Sequence, residues 1–148
     1  MPMLVLTIGV SGCGKSTWAA ASGLAVVSSD LIRAELFGDE AVQANPALVF
    51  DVAHARVIDL LKQGKSVVFD ATNVASWARQ ALLDKVDAEG ICCKKVAVVF
   101  NVEPQRALEQ MLHRSRQVPA DVVEHQWEQL KSDYGDISRQ FDVVTEVK

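Results

Sequence analysis

Residues 9–16 read Gly9-Val10-Ser11-Gly12-Cys13-Gly14-Lys15-Ser16, and no other stretch of the chain constrains it as much. Two glycines with four residues between them, Gly9 and Gly14, followed at once by lysine and serine, are the P-loop pattern. The glycines permit backbone angles at which successive N–H groups turn inward on an anion. The lysine brings a positive charge to the β and γ phosphates of a nucleotide, and the serine offers a hydroxyl to Mg²⁺. The context fits: an apolar, β-branched-rich run over Met3 to Ile8 precedes the loop, and a helix is predicted over Lys15 to Ser22 after it. A chance glycine turn has no need of that context. The phosphates of ATP are therefore expected over Gly9, Ser11, Gly12, Cys13, Gly14, Lys15, Ser16 and Thr17. Ser16 is the metal ligand, Lys15 the catalytic cation, and Cys13 fills a variable loop position.

The rest of the chain alternates in the same way. Strands are predicted over Leu24–Ser28, Val67–Phe69, Val96–Phe100 and Val143–Val147. Helices are predicted over Asp30–Phe37, Ala44–Lys62, Ser76–Ala88, Pro104 to His113 and Pro119–Ser132. Gly64 stops one helix and Gly90 another. Pro104 opens a helix in its first turn. Alternating strands and helices imply an α/β sandwich, a central parallel sheet of about five strands covered by helices on both faces.

At 148 residues one domain is expected, over 1–148, and 49% hydrophobic residues suffice for one core. No apolar run reaches the roughly 20 residues that cross a bilayer. Met1 to Val10 has no basic segment before it and no small-residue cleavage site after it, so a cytoplasmic location and no membrane partner are expected. The net charge of −4 argues against non-specific coating of duplex DNA; contact with nucleic acid needs a local basic patch. Cys13, Cys92 and Cys93 have neither zinc nor disulfide-framework spacing, and His54, His113 and His125 are scattered. Trp18, Trp77 and Trp127 read as packing residues, with Trp77 able to border a ligand. Oligomeric state is not legible.

Three further clusters fall where ligands gather, at the carboxyl ends of parallel strands. Asp30 follows the second strand and is either a helix cap or the base that accepts a hydroxyl proton. Arg33, three residues on, shares its helical face and suits an anionic group on the acceptor. Asp70-Ala71-Thr72-Asn73 follows the third strand. It orders the metal's surroundings, binds acceptor, or is simply a turn. Arg114-Ser115-Arg116-Gln117-Val118-Pro119 is either a solvated basic loop or an arginine lid that meets charge developing on a transferring phosphoryl group.

Taken in order, the P-loop with Thr17-Trp18-Ala19, Ser29-Asp30-x-x-Arg33, Asp70-Ala71-Thr72-Asn73 and Arg114-x-Arg116-x-Val118-Pro119 resemble the 5′-hydroxyl polynucleotide kinase family. That family includes the phage enzyme and the kinase module of bacterial RNA-repair proteins. The resemblance covers essentially the whole chain. It implies transfer of the γ-phosphate of ATP, with Mg²⁺, to the 5′-hydroxyl end of DNA or RNA. Asp30 is then the general base, Arg33 holds the acceptor's neighbouring phosphate, and Asp70, Thr72 and Asn73 belong to the acceptor side. Arg114 and Arg116 form the lid. The chain departs from the pattern at Gln110 and Met111, where many relatives carry an Arg-Asn pair, and it has no Asp-x-Asp phosphatase motif. The other expectations are a small-molecule kinase acting on a nucleoside or sugar acid, which the negative charge favours, and a nucleotide-dependent regulator with little turnover.

Overall fold

Five strands form one sheet: β1 (Met3–Ile8), β2 (Ala25–Ser28), β3 (Val67–Asp70), β4 (Lys94–Phe100) and β5 (Val143–Val147). Their order is β2-β3-β1-β4-β5, and every neighbouring pair is parallel. The computed structural model describes residues 1–38, 45–113 and 117–147. Among these residues seven helices join the strands: α1 (Lys15–Ala21), α2 (Ser29–Phe37), α3 (Pro46–Lys62), α4 (Ser76–Ala88), α5 (Pro104–Met111), α6 (Ala120–Asp133) and the short α7 (Ile137–Gln140).

Period-two alternation along β1 decides which residues face which layer. Leu4, Leu6 and Ile8 join Val67, Phe69 and Val99 in a core covered by α3 and α4. Val5 joins Val68, Val98 and Phe100 in a second core covered by α1 and α5. Helix α6 contributes Leu130 to the first core and Val123 to the second. Full burial of an aliphatic or aromatic side chain of this kind stabilises the fold by about 1.5–3 kcal/mol, which is why the strands read as nearly continuous apolar runs.

The strand order also places the ligand site. The chain runs from β1 outward to β2, returns to β3 beside β1, then crosses to β4 on the other side. The order therefore reverses at the carboxyl end of β1, where open parallel sheets leave a crevice. The loop after β1 is the glycine-rich one.

Most predicted elements are present, with shifted ends. β4 begins at Lys94 rather than Val96, because Lys94 and Lys95 pair with Met3 and Leu4 at the start of β1. The third helix begins at Pro46 after Asn45, whose side-chain oxygen accepts from Leu48 N at 3.3 Å. A 3₁₀ turn (Tyr134–Asp136) and α7 were not predicted. Among the described residues no helix is long and apolar enough to cross a membrane.

Candidate active site

The loop after β1 turns through Gly12 at φ 84° and Gly14 at φ 101°, the left-handed region that L side chains avoid. Gly12 is needed for space as well. A Cβ there would lie 2.6 Å from Met111 Cγ and 2.7 Å from the Ala107 carbonyl oxygen, so α5 packs directly on the loop. This is what occupies Met111: it is buried against the loop rather than turned toward a ligand. Gly14 is the N-cap of α1, and no side chain caps that helix. Its first N–H groups are left for another acceptor.

Lys15 is buried, and its Nζ donates to the Val10 carbonyl at 2.7 Å and to Cys13 Sγ at 3.6 Å. Burial raises the Cys13 thiol pKa, with Lys15 pulling the other way. Ser16 Oγ donates to Asp70 Oδ2 at 2.7 Å. This bond joins the start of α1 to the last residue of β3. Asp70 is therefore not simply a turn residue with a free side chain.

Asp30 reaches the same place from β2. Ser28 lies opposite Asp70 in the β2–β3 register, so the two strands deliver their carboxyl ends side by side. Ser28, not Asp30, is the N-cap of α2, its Oγ accepting from Leu31 N at 3.3 Å. The capping alternative for Asp30 falls away. Asp30 sits in the first turn, and Arg33 Nη1 donates to its Oδ1 at 2.8 Å. Arg33 Nε is buried and has no hydrogen-bond partner among the described residues. An unmet buried donor costs about 1–3 kcal/mol, so a folded protein rarely keeps one without a use for it.

These groups line one cavity of about 610 Å³. Ser11, Gly12, Gly14, Lys15 and Ser16 form one wall; Asp70, Ala71 and Thr72 another; Ser29, Asp30 and Arg33 a third. Pro46, Phe50, Val118, Pro119 and Val122 supply apolar surface. Gly9, Cys13, Thr17 and Asn73 do not line it. Gly9 ties the loop to Thr72 through its N–H, at 3.0 Å from the Thr72 carbonyl. Asn73 is buried at φ 49°, and its amide donates to the Thr7 carbonyl at 2.9 Å. This bond holds the loop after β3. Trp77 is 76% exposed and lies off the cavity. Arg114 and Arg116, and with them the expected arginine lid, lie outside the described residues.

Two residues of the site have no motif to announce them. Arg79 is completely buried and donates to the carbonyls of Asn73, Val74 and Asp133 and to Gln140 Oε1, anchoring the segment that follows Asp70. Gln126, on α6, lines the cavity and accepts from Ser11 N at 2.8 Å. The available signal for Gln126 is a polar residue on the buried stripe marked by Val123 and Leu130.

The profile of the AAA domain family matches residues 4–137. The chain belongs to that family. No curated protein gave a significant match. Among solved structures, the chain is similar to one in the Pnkp1/Rnl/Hen1 RNA repair complex, at 23% identity and a TM-score of 0.75 over 91% of this chain and 46% of that one. It thus spans less than half the length of that relative. It is also similar to a gluconokinase from Sinorhizobium meliloti 1021, at 21% identity and a TM-score of 0.62 over 99% of this chain and 82% of that one. A third similar structure is shikimate kinase from Acinetobacter baumannii, at 14% identity and a TM-score of 0.59 over 100% of this chain and 85% of that one. The AAA-family chain thus has a P-loop kinase-like fold.

The donor set suits Mg²⁺. A hydroxyl and a carboxylate oxygen at 2.7 Å are hard ligands beside a phosphate cradle. Mg²⁺ in such sites is held by one or two protein oxygens plus substrate phosphates rather than by a protein cage. Among the described residues no cluster of three or more His, Cys, Asp or Glu could hold a metal alone.

Proposed function

We propose that this protein transfers the γ-phosphoryl group of ATP to the 5′-hydroxyl end of a DNA or RNA strand. The observation that carries the proposal is the meeting of two pairs across one cavity: Ser16 with Asp70 beside the loop, and Asp30 with Arg33 facing them. One pair suits a nucleotide donor and the other an anionic alcohol acceptor. In phosphoryl transfer the protein's work is positioning and charge stabilisation, and each residue has a share. Lys15 exchanges the Val10 carbonyl for donor phosphate oxygens. Ser16 and Asp70 would hold Mg²⁺, which would supply neutralisation of charge on the phosphates. Asp30 accepts the proton of the attacking hydroxyl. Arg33 holds the phosphate next to that hydroxyl by a charge-assisted bond. Arg114 and Arg116 are assigned, on sequence alone, to the charge on the transferring group.

A second reading rests on coverage. The chain covers most of the gluconokinase and the shikimate kinase, and less than half of the RNA-repair chain. A small-molecule acceptor is therefore the alternative. ADP release from Mg·ATP, measured with 5′-hydroxyl oligonucleotides, then with gluconate, shikimate and nucleosides, then with no acceptor, separates the two. Stimulation by oligonucleotides alone supports the proposal. Stimulation by a small alcohol alone puts the second reading first, and nucleotide binding with no stimulated turnover supports a regulator.

A further inference from the structure

Gln126 projects from α6 toward the phosphate cradle, on the stripe of that helix that carries Val123 and Leu130 into the two cores. A polar side chain at such a position needs partners. Only one end of its amide has one. The partner is the Ser11 backbone N–H, at 2.8 Å, and a backbone N–H can only donate. The orientation of the amide is therefore fixed by chemistry: Oε1 lies on Ser11, and Nε2 is turned elsewhere. Among the described residues Nε2 has no hydrogen-bond partner, and it is not buried. Gln126 and Lys15 line the same cavity.

Two other facts make this donor useful. Ser11 is bonded to Gln126 and Gly12 packs against Met111, so the loop that Oε1 holds is itself packed on α5. Met111 is committed to packing on Gly12 and has no donor to offer.

The geometry points to Gln126 as a catalytic residue that fixes the Ser11 N–H through Oε1 and donates from Nε2 to the oxygens of the transferring phosphoryl group. The inference rests on the phosphoryl-transfer reading above, but not on which acceptor is correct. A fixed neutral donor aimed where charge develops adds stabilisation in the transition state without reorganising.

The test is calorimetric binding of Mg·ADP with and without aluminium fluoride, which mimics the transferring group and needs no acceptor. It is run on the wild type, Gln126→Glu and Gln126→Met, each with a thermal melt. Gln126→Glu keeps an oxygen for Ser11 N–H but cannot donate; Gln126→Met removes both functions and adds no charge. The inference predicts that both variants bind Mg·ADP within about threefold of wild type. It predicts that both lose about ten- to a hundredfold of the extra affinity that fluoride confers, the scale of one lost hydrogen bond to a charged group. Loss in Gln126→Met alone would mean that Oε1 on Ser11 is all that matters, and loss in Gln126→Glu alone would mean charge repulsion; either overturns the assignment. Retention in both overturns it as well. A wild type that gains nothing from fluoride would remove the phosphoryl-transfer reading itself, and this inference with it.

Discussion

Ser16 Oγ donates to Asp70 Oδ2 at 2.7 Å, joining the first helical turn after the P-loop to the end of the neighbouring strand. On the proposed reading, these two oxygens serve the metal's side of the site. For Asp70 this differs from the role that the family resemblance implies. Asp70→Asn should raise the Mg²⁺ concentration needed for half-maximal turnover by at least about tenfold, because a neutral amide is a poor ligand for a hard cation. Folding should be little affected. Titration of ATP turnover with Mg²⁺ checks this, and an unchanged midpoint would return Asp70 to the acceptor side.

Asp30 is separable from its helix. Since Ser28 caps α2, Asp30→Asn should leave stability within about 1 kcal/mol, the scale of a partly exposed ion pair. Turnover should fall at least about a hundredfold while ATP binding persists, because the proton acceptor is gone. Thermal melts and single-turnover rates on the same sample read both effects. A variant that keeps its rate would reduce Asp30 to the partner of Arg33.

Arg79 should be the most damaging of the buried polar positions. Replacing it with Met leaves three carbonyls and Gln140 Oε1 without their donor inside the fold. The expected loss is about 3–5 kcal/mol, read from the denaturant midpoint. Lys should rescue poorly, since an ammonium cannot span four acceptors from one planar fork. A loss under about 1 kcal/mol would mean that the segment after Asp70 holds itself.

Arg79 also shows where the sequence stops being informative. Within Ser76–Ala88 it looks like any solvent-facing arginine, and only the packing of α7 and the end of α6 over it makes it a core residue. Gln126 is hidden for the same reason, being 115 positions from the N–H it binds. Asn73 carries a contact hidden in the same way: its amide donates to the Thr7 carbonyl of β1, 66 positions away. The P-loop, Asp30 and Arg33 were legible because their chemistry is local, a loop between strand and helix and an i,i+3 pair on one face. The sheet was legible from its apolar runs, whereas α7 is four residues long and carries no periodicity to detect.

His54 gives the fold an acid limit. It lies between Phe50 and Phe69, and Lys85 Nζ sits 2.9 Å from its Nδ1, with Asp51 nearby. Burial first, then the Lys85 charge, lowers its pKa from 6.5 to about 4, against a weaker pull from Asp51. The unfolded chain therefore binds a proton between about pH 6.5 and pH 4 that the folded one refuses, and stability falls as pH drops through that window. After allowance for solvent screening the effect is about 2 kcal/mol. Comparison of the wild type with His54→Gln at pH 7 and pH 4.5 checks it. The variant should lose less stability than the wild type on acidification, and parallel losses would place the acid sensitivity elsewhere.

The central claim is direct phosphoryl transfer to a 5′ end, and the most direct measurement follows the phosphorus atom. Mg·ATP labelled at the γ position is incubated with a 5′-hydroxyl oligonucleotide, and the oligonucleotide is isolated and digested from its 5′ end. With the wild type, label is expected on the terminal 5′ phosphate. At least about a hundredfold less is expected with Lys15→Ala, which removes the charge that follows the γ-phosphate. Label that never enters the oligonucleotide, or that enters equally with a folded Lys15→Ala protein, would contradict it.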